Sequence, residues 1–270
     1  MNKTLTKKIK DYFLQFDGTI TAFSGGIDSA LVLFLSRKFL GKDKSVGVIS
    51  NSESLKNKDY QLALDFVKDF DIHLETIYTE ELNDTNYNTN PANRCYFCKT
   101  HLYNTISSVK EKYPYFTVLN GTNQDDFGDY RPGLQAAEEN SVRSPLADLG
   151  FGKKEIRELA KYYGIPFWNK PASPCLSSRV PYGNKITSAK LSQIEKAEAI
   201  LNNFGFEDVR VRHYGTLCKI EVPLPRIDEL MGYLDDIRSD FKEIGFTECV
   251  IAEIGLVSGN LNKALNLSHD

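Results

Sequence analysis

Ser24-Gly25-Gly26-Ile27-Asp28-Ser29 decides how the rest of the chain is read. Ahead of it lies Thr19-Ile20-Thr21-Ala22-Phe23, rich in strand formers. Behind it lies Ala30-Leu31-Val32-Leu33-Phe34-Leu35, the apolar body of a helix. A strand, a glycine turn and a helix start in that order make an anion site. The glycines let the backbone approach closely, and the first N–H groups of a helix point at the ligand. Ser24 and Ser29 add hydroxyl donors. Asp28 repels a bare phosphate, yet it suits a phosphate bridged by Mg²⁺. No lysine follows the glycines, so the stretch is not a Walker A loop, which ends in Gly-Lys-Ser/Thr.

Outward from the loop, Leu5, Ile9, Tyr12, Phe13 and Phe16 predict an amphipathic helix over residues 3–16. Gly41 fits a helix stop. Val46–Ile49, His73–Tyr78 and Phe116–Asn120 read as strands; Leu62, Phe66 and Phe70 mark a helix face, and Lys153–Tyr163 reads as a helix closed by Gly164. Strands alternating with helices predict a parallel sheet covered on both faces, with ligands at the carboxyl ends of the strands. Those ends carry Ser50-Asn51-Ser52-Glu53 and Asn120-Gly121-Thr122 besides the glycine loop. The polar stretch Asn83–Asn93 has no apolar period and is expected to be a mobile loop. Arg131, in Asp129-Tyr130-Arg131-Pro132-Gly133, can hold a phosphate or a carboxylate, or form a surface salt bridge.

The six loop residues resemble the PP-loop of ATP pyrophosphatases, which transfer the α-phosphate side of ATP to a substrate oxygen and release pyrophosphate. That resemblance implies a fold of the adenine nucleotide α-hydrolase type. It places phosphate contacts at Ser24, Gly25, Gly26, Asp28 and Ser29, and adenosine contacts near Asn51 and Gly121.

At 270 residues the chain can hold one large domain or two. A net charge of −3 argues against a broad nucleic-acid surface. No apolar run is long enough for a membrane span, and Met1–Lys8 lacks the core of a signal peptide, so the expected location is cytoplasmic. Five cysteines, an odd number, point away from a disulfide framework. Cys95 and Cys98 form a C-x-x-C pair, with Cys175 far along the chain. The four histidines show no paired ligand spacing. Cluster, zinc and thiol redox chemistry all suit these three thiols. Cys218 and Cys249 sit in apolar alternation and read as core residues.

Pro171, Pro174 and the residues around them mark a break at Trp168–Pro174, dividing residues 1–172 from 173–270. Beyond it, Ile186–Phe204 reads as a helix and Val209–Arg212 as a strand. Lys219–Val222 reads as its hairpin partner, residues 227–241 as one further helix, and Glu248–Ile254 as a last strand, together a small α+β domain. Arg210 and Arg212 share a strand face by the period of two, which suits a phosphate dianion or an exposed face paired with acids. Glu198, Glu221 and Glu229 can bring carboxylates near them or remain solvated charges.

Over nearly its whole length the chain resembles the LarE family, PP-loop sulfur transferases of nickel-pincer nucleotide biosynthesis. The resemblance is carried by Ser24–Ser29, Asn51-Ser52-Glu53, Asp129–Gly133, Trp168-Asn169-Lys170, Ser177–Gly183, Val209–Arg212 and Ile220–Pro223. It implies adenylation of a carboxylate of pyridinium-3,5-biscarboxylic acid mononucleotide by ATP and Mg²⁺, then displacement of AMP by sulfur to give a thiocarboxylate. It places the substrate phosphate at Ser178, Arg210 and Arg212, and acidic groups near sulfur transfer at Glu198, Glu221 and Glu229. Some members sacrifice a cysteine whose place here is Pro174. Others hold a 4Fe-4S cluster on three cysteines, and Cys95, Cys98 and Cys175 match that pattern. The implied sulfur source is sulfide carried on the open iron, delivered as free sulfide or by a donor protein, and the implied assembly is a homo-oligomer. Two alternatives stand beside this reading: a PP-loop tRNA sulfur transferase, for which no extra RNA-binding element is evident, and a non-catalytic nucleotide or metal sensor.

Overall fold

The computed structural model describes residues 3–128 and 131–257; Asp129 and Tyr130 of the stretch above lie outside the described residues. Along the chain the first elements are α1 (Lys3–Phe13), β1 (Thr19–Ala22), α2 (Ile27–Leu40), β2 (Ser45–Ser50), α3 (Asn57–Asp69), β3 (His73–Ile77), α4 (Thr85–Asn88) and α5 (Arg94–Lys110). Then come β4 (Thr117–Leu119), α6 (Gly133–Glu139), α7 (Pro145–Asp148), α8 (Lys153–Tyr162) and α9 (Ser188–Asn203). The chain closes with β5 (Arg210–Tyr214), β6 (Leu217–Glu221), α10 (Ile227–Gly232), α11 (Leu234–Glu243) and β7 (Glu248–Ile251). Among the described residues no helix is long and apolar enough to cross a membrane.

Two compact units result. The first comprises residues 1–81 and 93–173, the second 82–92 and 174–270. In the first unit β3-β2-β1-β4 form a wholly parallel sheet. The period of two sorts its side chains. Ile20, Ala22, Val46 and Val48 pack with Tyr103, Ile106 and Val109 of α5 and with α6, whereas Phe23 and Ile49 pack with α1, α2, α3 and α8. The expected sheet with helices on both faces is therefore what the chain forms.

The second unit carries the sheet β5-β6-β7, with β5 and β6 an antiparallel hairpin and β7 parallel to β6. Its core includes Ala197, Leu201, Val211, Ile220, Leu230, Ile237 and Phe241. The single helix expected over residues 227–241 is two, α10 and α11. Gly232 weakens the helix there, Tyr233 N–H turns back to the Leu230 carbonyl at 3.1 Å, and Asp235 and Asp236 start a new helix at its favoured acidic end.

The segment expected as a mobile loop is ordered and groups with the second unit. Asp84 caps α4 through Asn86 N–H at 2.8 Å. Tyr87 is buried, its hydroxyl 2.6 Å from Ser177 Oγ. Asn90 Nδ2 donates to the carbonyls of Val180 and Pro181 at 3.1 and 2.8 Å. The holding forces are hydrogen bonds made by single polar side chains, which leave no apolar period to read.

Candidate active site

The glycine loop stands where its sequence places it, between β1 and α2, with Gly26 preceding the helix. Ser29 is its knot. Its hydroxyl accepts the Ser24 N–H at 3.1 Å, lies 3.0 Å from Ser24 Oγ and donates to the Gly26 carbonyl at 3.1 Å. Gly25 has φ +74, and a Cβ there would lie 3.0 Å from the Asp59 carbonyl oxygen. Gly121, just past β4, passes close under the start of α2: a Cβ there would lie 2.6 Å from Ser29 N and 2.9 Å from its Cα. Only a glycine lets that strand end approach the loop so closely. Asn51 follows β2, its N–H bonded to the Ile77 carbonyl at 2.9 Å.

Asp28, in the first turn of α2, is half-buried. Burial pushes its carboxyl above the usual aspartate range, against the pull of Lys153. Lys153 Nζ bonds Asp28 Oδ2, while Asp28 Oδ1 is buried with no hydrogen-bond partner. In the sequence Lys153 marks only the start of a helix, with no sign of a place beside Asp28. It stands at the start of α8, where its N–H donates to Asp125 Oδ2 at 2.7 Å. The same turn holds Asp126, which accepts from Asn123 N and Nδ2 at 3.0 and 2.9 Å and pairs with Arg131 at 3.0 Å. Arg131 thus belongs to the acidic group of the first unit. An orphaned carboxylate oxygen beside a phosphate cradle suits a hard, oxygen-seeking cation such as Mg²⁺.

The second unit gathers another cluster. Arg179, 1% exposed, is the largest fully buried side chain. Its Nε and Nη2 grip both Glu198 oxygens at 2.8 and 3.2 Å. Its Nη1 donates to the carbonyls of Pro174 and Cys175 at 2.7 and 3.2 Å and to Ser178 Oγ at 2.9 Å. Arg212 Nη2 pairs with Glu221 at 2.7 Å and its Nη1 donates to the Ser178 carbonyl at 2.6 Å. Arg210 is also buried, and among the described residues no hydrogen bond or ion pair engages its guanidinium. Burial and the charges of Arg179 and Arg212 hold its pKa below the usual arginine value. Three guanidinium groups thus face two carboxylates, leaving a surplus positive charge.

Ser178, Arg210, Arg212, Glu198 and Glu221 are brought together in this way, and Arg179, one residue of the Ser177–Gly183 stretch, organises them. Glu229 is not brought in. It is exposed on α10 and pairs with Arg226, whose guanidinium holds its carboxyl below the ordinary glutamate range. Cys95 and Cys98 occupy the first turn of α5, one exposed and one half-buried, on the same helix side by their spacing. Cys175 is exposed in the second unit, just ahead of the short 3-10 turn Leu176–Arg179. Cys218 and Cys249 are buried core residues paired across β6 and β7. No cysteine is bridged, and among the described residues no three His, Cys, Asp or Glu side chains form a metal-holding group.

A parallel sheet with the glycine loop at the end of β1 defines an ATP-using enzyme of the PP-loop class. A family model described as NAD synthase matches residues 1–101. An uncharacterized protein of Synechocystis sp. is 38% identical over 267 residues, 98% of this chain and 99% of that protein. An uncharacterized protein of Methanocaldococcus jannaschii is 32% identical over 87% of this chain and 89% of its own length. Pyridinium-3,5-bisthiocarboxylic acid mononucleotide synthase of Lactiplantibacillus plantarum is 32% identical over 262 residues, 97% of this chain and 94% of that enzyme. The chain belongs to the family of that synthase, the LarE family of PP-loop enzymes.

Proposed function

We propose that this enzyme uses ATP to adenylate a carboxylate of pyridinium-3,5-biscarboxylic acid mononucleotide and then converts it to a thiocarboxylate. The observation that carries the reading is the second-unit cluster. Arg210 is a buried cation with no partner among the described residues, beside Arg212 and Ser178, and it suits the phosphate of a mononucleotide. Full-length similarity to the named synthase supports the same substrate.

In the first step a carboxylate oxygen of the substrate attacks the α-phosphorus of ATP. The bond to the β-phosphate bridge breaks, and pyrophosphate leaves. Ser24, Gly25, Gly26 and Ser29 cradle the phosphates, Asn51 and Gly121 flank the adenosine, and Asp28 would hold Mg²⁺, which neutralises charge on the phosphates when bound. In the second step a sulfide sulfur attacks the activated carbonyl carbon. AMP leaves with the electron pair of the broken C–O bond, and the thiocarboxylate forms. Arg210, Arg212 and Ser178 hold the substrate phosphate; Glu198 and Glu221 fix the orientation of Arg179 and Arg212. Cys95, Cys98 and Cys175 would hold a 4Fe-4S cluster, which supplies the sulfide when bound. Three unbridged thiols, two exposed and one half-buried, are a soft donor set of that kind. Glu229, exposed on α10 and paired with Arg226, is given no part in this scheme.

The test is anaerobic reconstitution followed by turnover with substrate, ATP, Mg²⁺ and sulfide. Iron–sulfur absorbance, about four irons per chain and product gaining sulfur while the protein mass is unchanged are expected. Cys95→Ser, Cys98→Ser and Cys175→Ser each lose both absorbance and transfer while still releasing pyrophosphate. Full sulfur transfer by an iron-free Cys95→Ser protein, or conversion of Cys175 to dehydroalanine, would overturn the cluster route.

A further inference from the structure

Helix α8 carries more charge than the loop chemistry uses. Lys153, Lys154, Arg157, Glu158 and Lys161 recur at helical spacing on one side, opposite the buried Ile156, Leu159 and Ala160. With Trp168 they line a cavity of about 440 Å³, within the roughly 300–1,000 Å³ range of small-molecule sites. Glu158 is its one acidic lining residue. Among the described residues no ion pair engages Lys154, Arg157 or Lys161; Lys153 alone is compensated, by Asp28 of the phosphate loop. Lys161 Nζ stands 4.7 Å from the centroid of the Trp168 ring. Much of the lining is apolar, from the indole and the side-chain stems, and a low-dielectric wall strengthens the field of the cations beside it.

We propose that this groove is a second anion site of the enzyme and that its ligand is a condensed phosphate, the pyrophosphate released at Ser24–Ser29. The proposal rests on the adenylating reading, because that step makes pyrophosphate at the loop where Lys153 stands. Lys153 is shared between the loop and the groove, so the leaving group passes from one to the other without losing its cation. Arg157 and Lys161 lie one helical turn apart, about 5–6 Å between Cβ atoms. A condensed phosphate, with two linked phosphoryl groups and more negative charge than orthophosphate, engages more of these cations at once. Arg157 offers a planar fork for one phosphoryl group, and Lys154 and Lys161 offer point charges for the other. Occupation draws Lys161 off the indole and clears the leaving group from the PP-loop.

Trp168 is the chain's single tryptophan, so its emission reads the groove directly. Inorganic pyrophosphate is titrated into the full-length protein without ATP. A saturable change in Trp168 emission is expected, weakening as ionic strength rises. Orthophosphate should bind at least tenfold more weakly than pyrophosphate. Arg157→Glu should weaken pyrophosphate at least tenfold while leaving KM for ATP unchanged, and Ser29→Ala, which damages the loop, should leave the titration as in the wild type. A flat titration, an Arg157→Glu titration equal to the wild type, or loss of the response in Ser29→Ala would overturn the proposal. The two readings fail separately: a protein that titrates normally but releases no pyrophosphate from substrate, ATP and Mg²⁺ overturns adenylation and not the anion site.

Discussion

The two units solve opposite electrostatic problems. In the first, carboxylates outnumber their partners: Asp28, Asp125 and Asp126 meet Lys153 and Arg131, and one Asp28 oxygen is left without a partner. In the second, guanidinium groups outnumber carboxylates, and Arg210 is left over. A buried group without a counterpart is costly. Such costs cluster at functional sites, where a ligand supplies the missing charge. The first arrangement suits a metal cation brought with a polyphosphate; the second suits an anion.

The comparison is tested hardest at Arg179. Its guanidinium makes five hydrogen bonds, two of them to Glu198. Arg179→Ala removes the guanidinium that pairs with both oxygens of buried Glu198 and leaves the Val211 N–H at 3.2 Å on Oε1, and the expected loss is about 3–5 kcal/mol. Arg210→Met removes a cation that has no carboxylate of its own, so stability should hold or rise while substrate affinity is lost. Urea unfolding of both full-length variants, with a substrate titration of Arg210→Met, measures the contrast. Equal destabilisation by the two substitutions would mean that Arg210 is a structural member of the pair network.

Asp28 comes next. Asp28→Asn removes the proposed Mg²⁺ ligand and should slow pyrophosphate release by roughly a hundredfold or more, since a metal on a transferring phosphoryl group is worth several kcal/mol. The pH dependence has a definite sign. The folded carboxyl titrates above its unfolded value of 3.8, so its contribution to stability is fully present below that value. It is lost as the pH rises through the raised folded value. At neutral pH Asp28→Asn should therefore be at least as stable as the wild type, with the advantage vanishing below pH 3.8. Lys153 loses its partner, but it is 42% exposed and can turn to water. A variant that unfolds more readily at neutral pH would assign Asp28 to structure.

What the sequence made legible follows from how far each signal reaches. The glycine loop, its flanking strand and helix, and the alternation of the sheet are local patterns, and all of them form. The Lys153–Asp28 pair is not legible because 125 positions separate its members and no local pattern marks such a pair. Glu198 was legible as an acid, but its partner was not, because an arginine in a 3-10 turn carries no sign that it is buried. α5 was hidden by its composition. Thr100, Thr105 and Ser107 bond back to carbonyls four residues earlier, which satisfies hydroxyls that would otherwise favour turns. Placing Cys95 and Cys98 on its first turn required the structure.

The smallest effect sharpens the contrast within the second unit. His213 follows Arg212 on β5 and is equally buried, yet among the described residues no carboxylate pairs with it. It accepts the Gly215 N–H at Nδ1, at 3.2 Å, which leaves the proton on Nε2 to donate to Gln193 Oε1 at 2.9 Å. Burial, with help from the charge of Lys190, lowers its pKa below the ordinary 6.5. Arg212 remains charged because Glu221 stands beside it; His213 has the option of neutrality and takes it. Its contribution to stability is present above pH 6.5 and is lost as the pH falls through the depressed folded value, because the unfolded chain then binds the extra proton. Thermal unfolding between pH 7.5 and 5 should show a declining midpoint, with a slope of at most one proton from this group. His213→Gln should flatten that slope without changing the response of the Asp28→Asn comparison. An unchanged slope in His213→Gln would assign the acid sensitivity to the charged cluster instead.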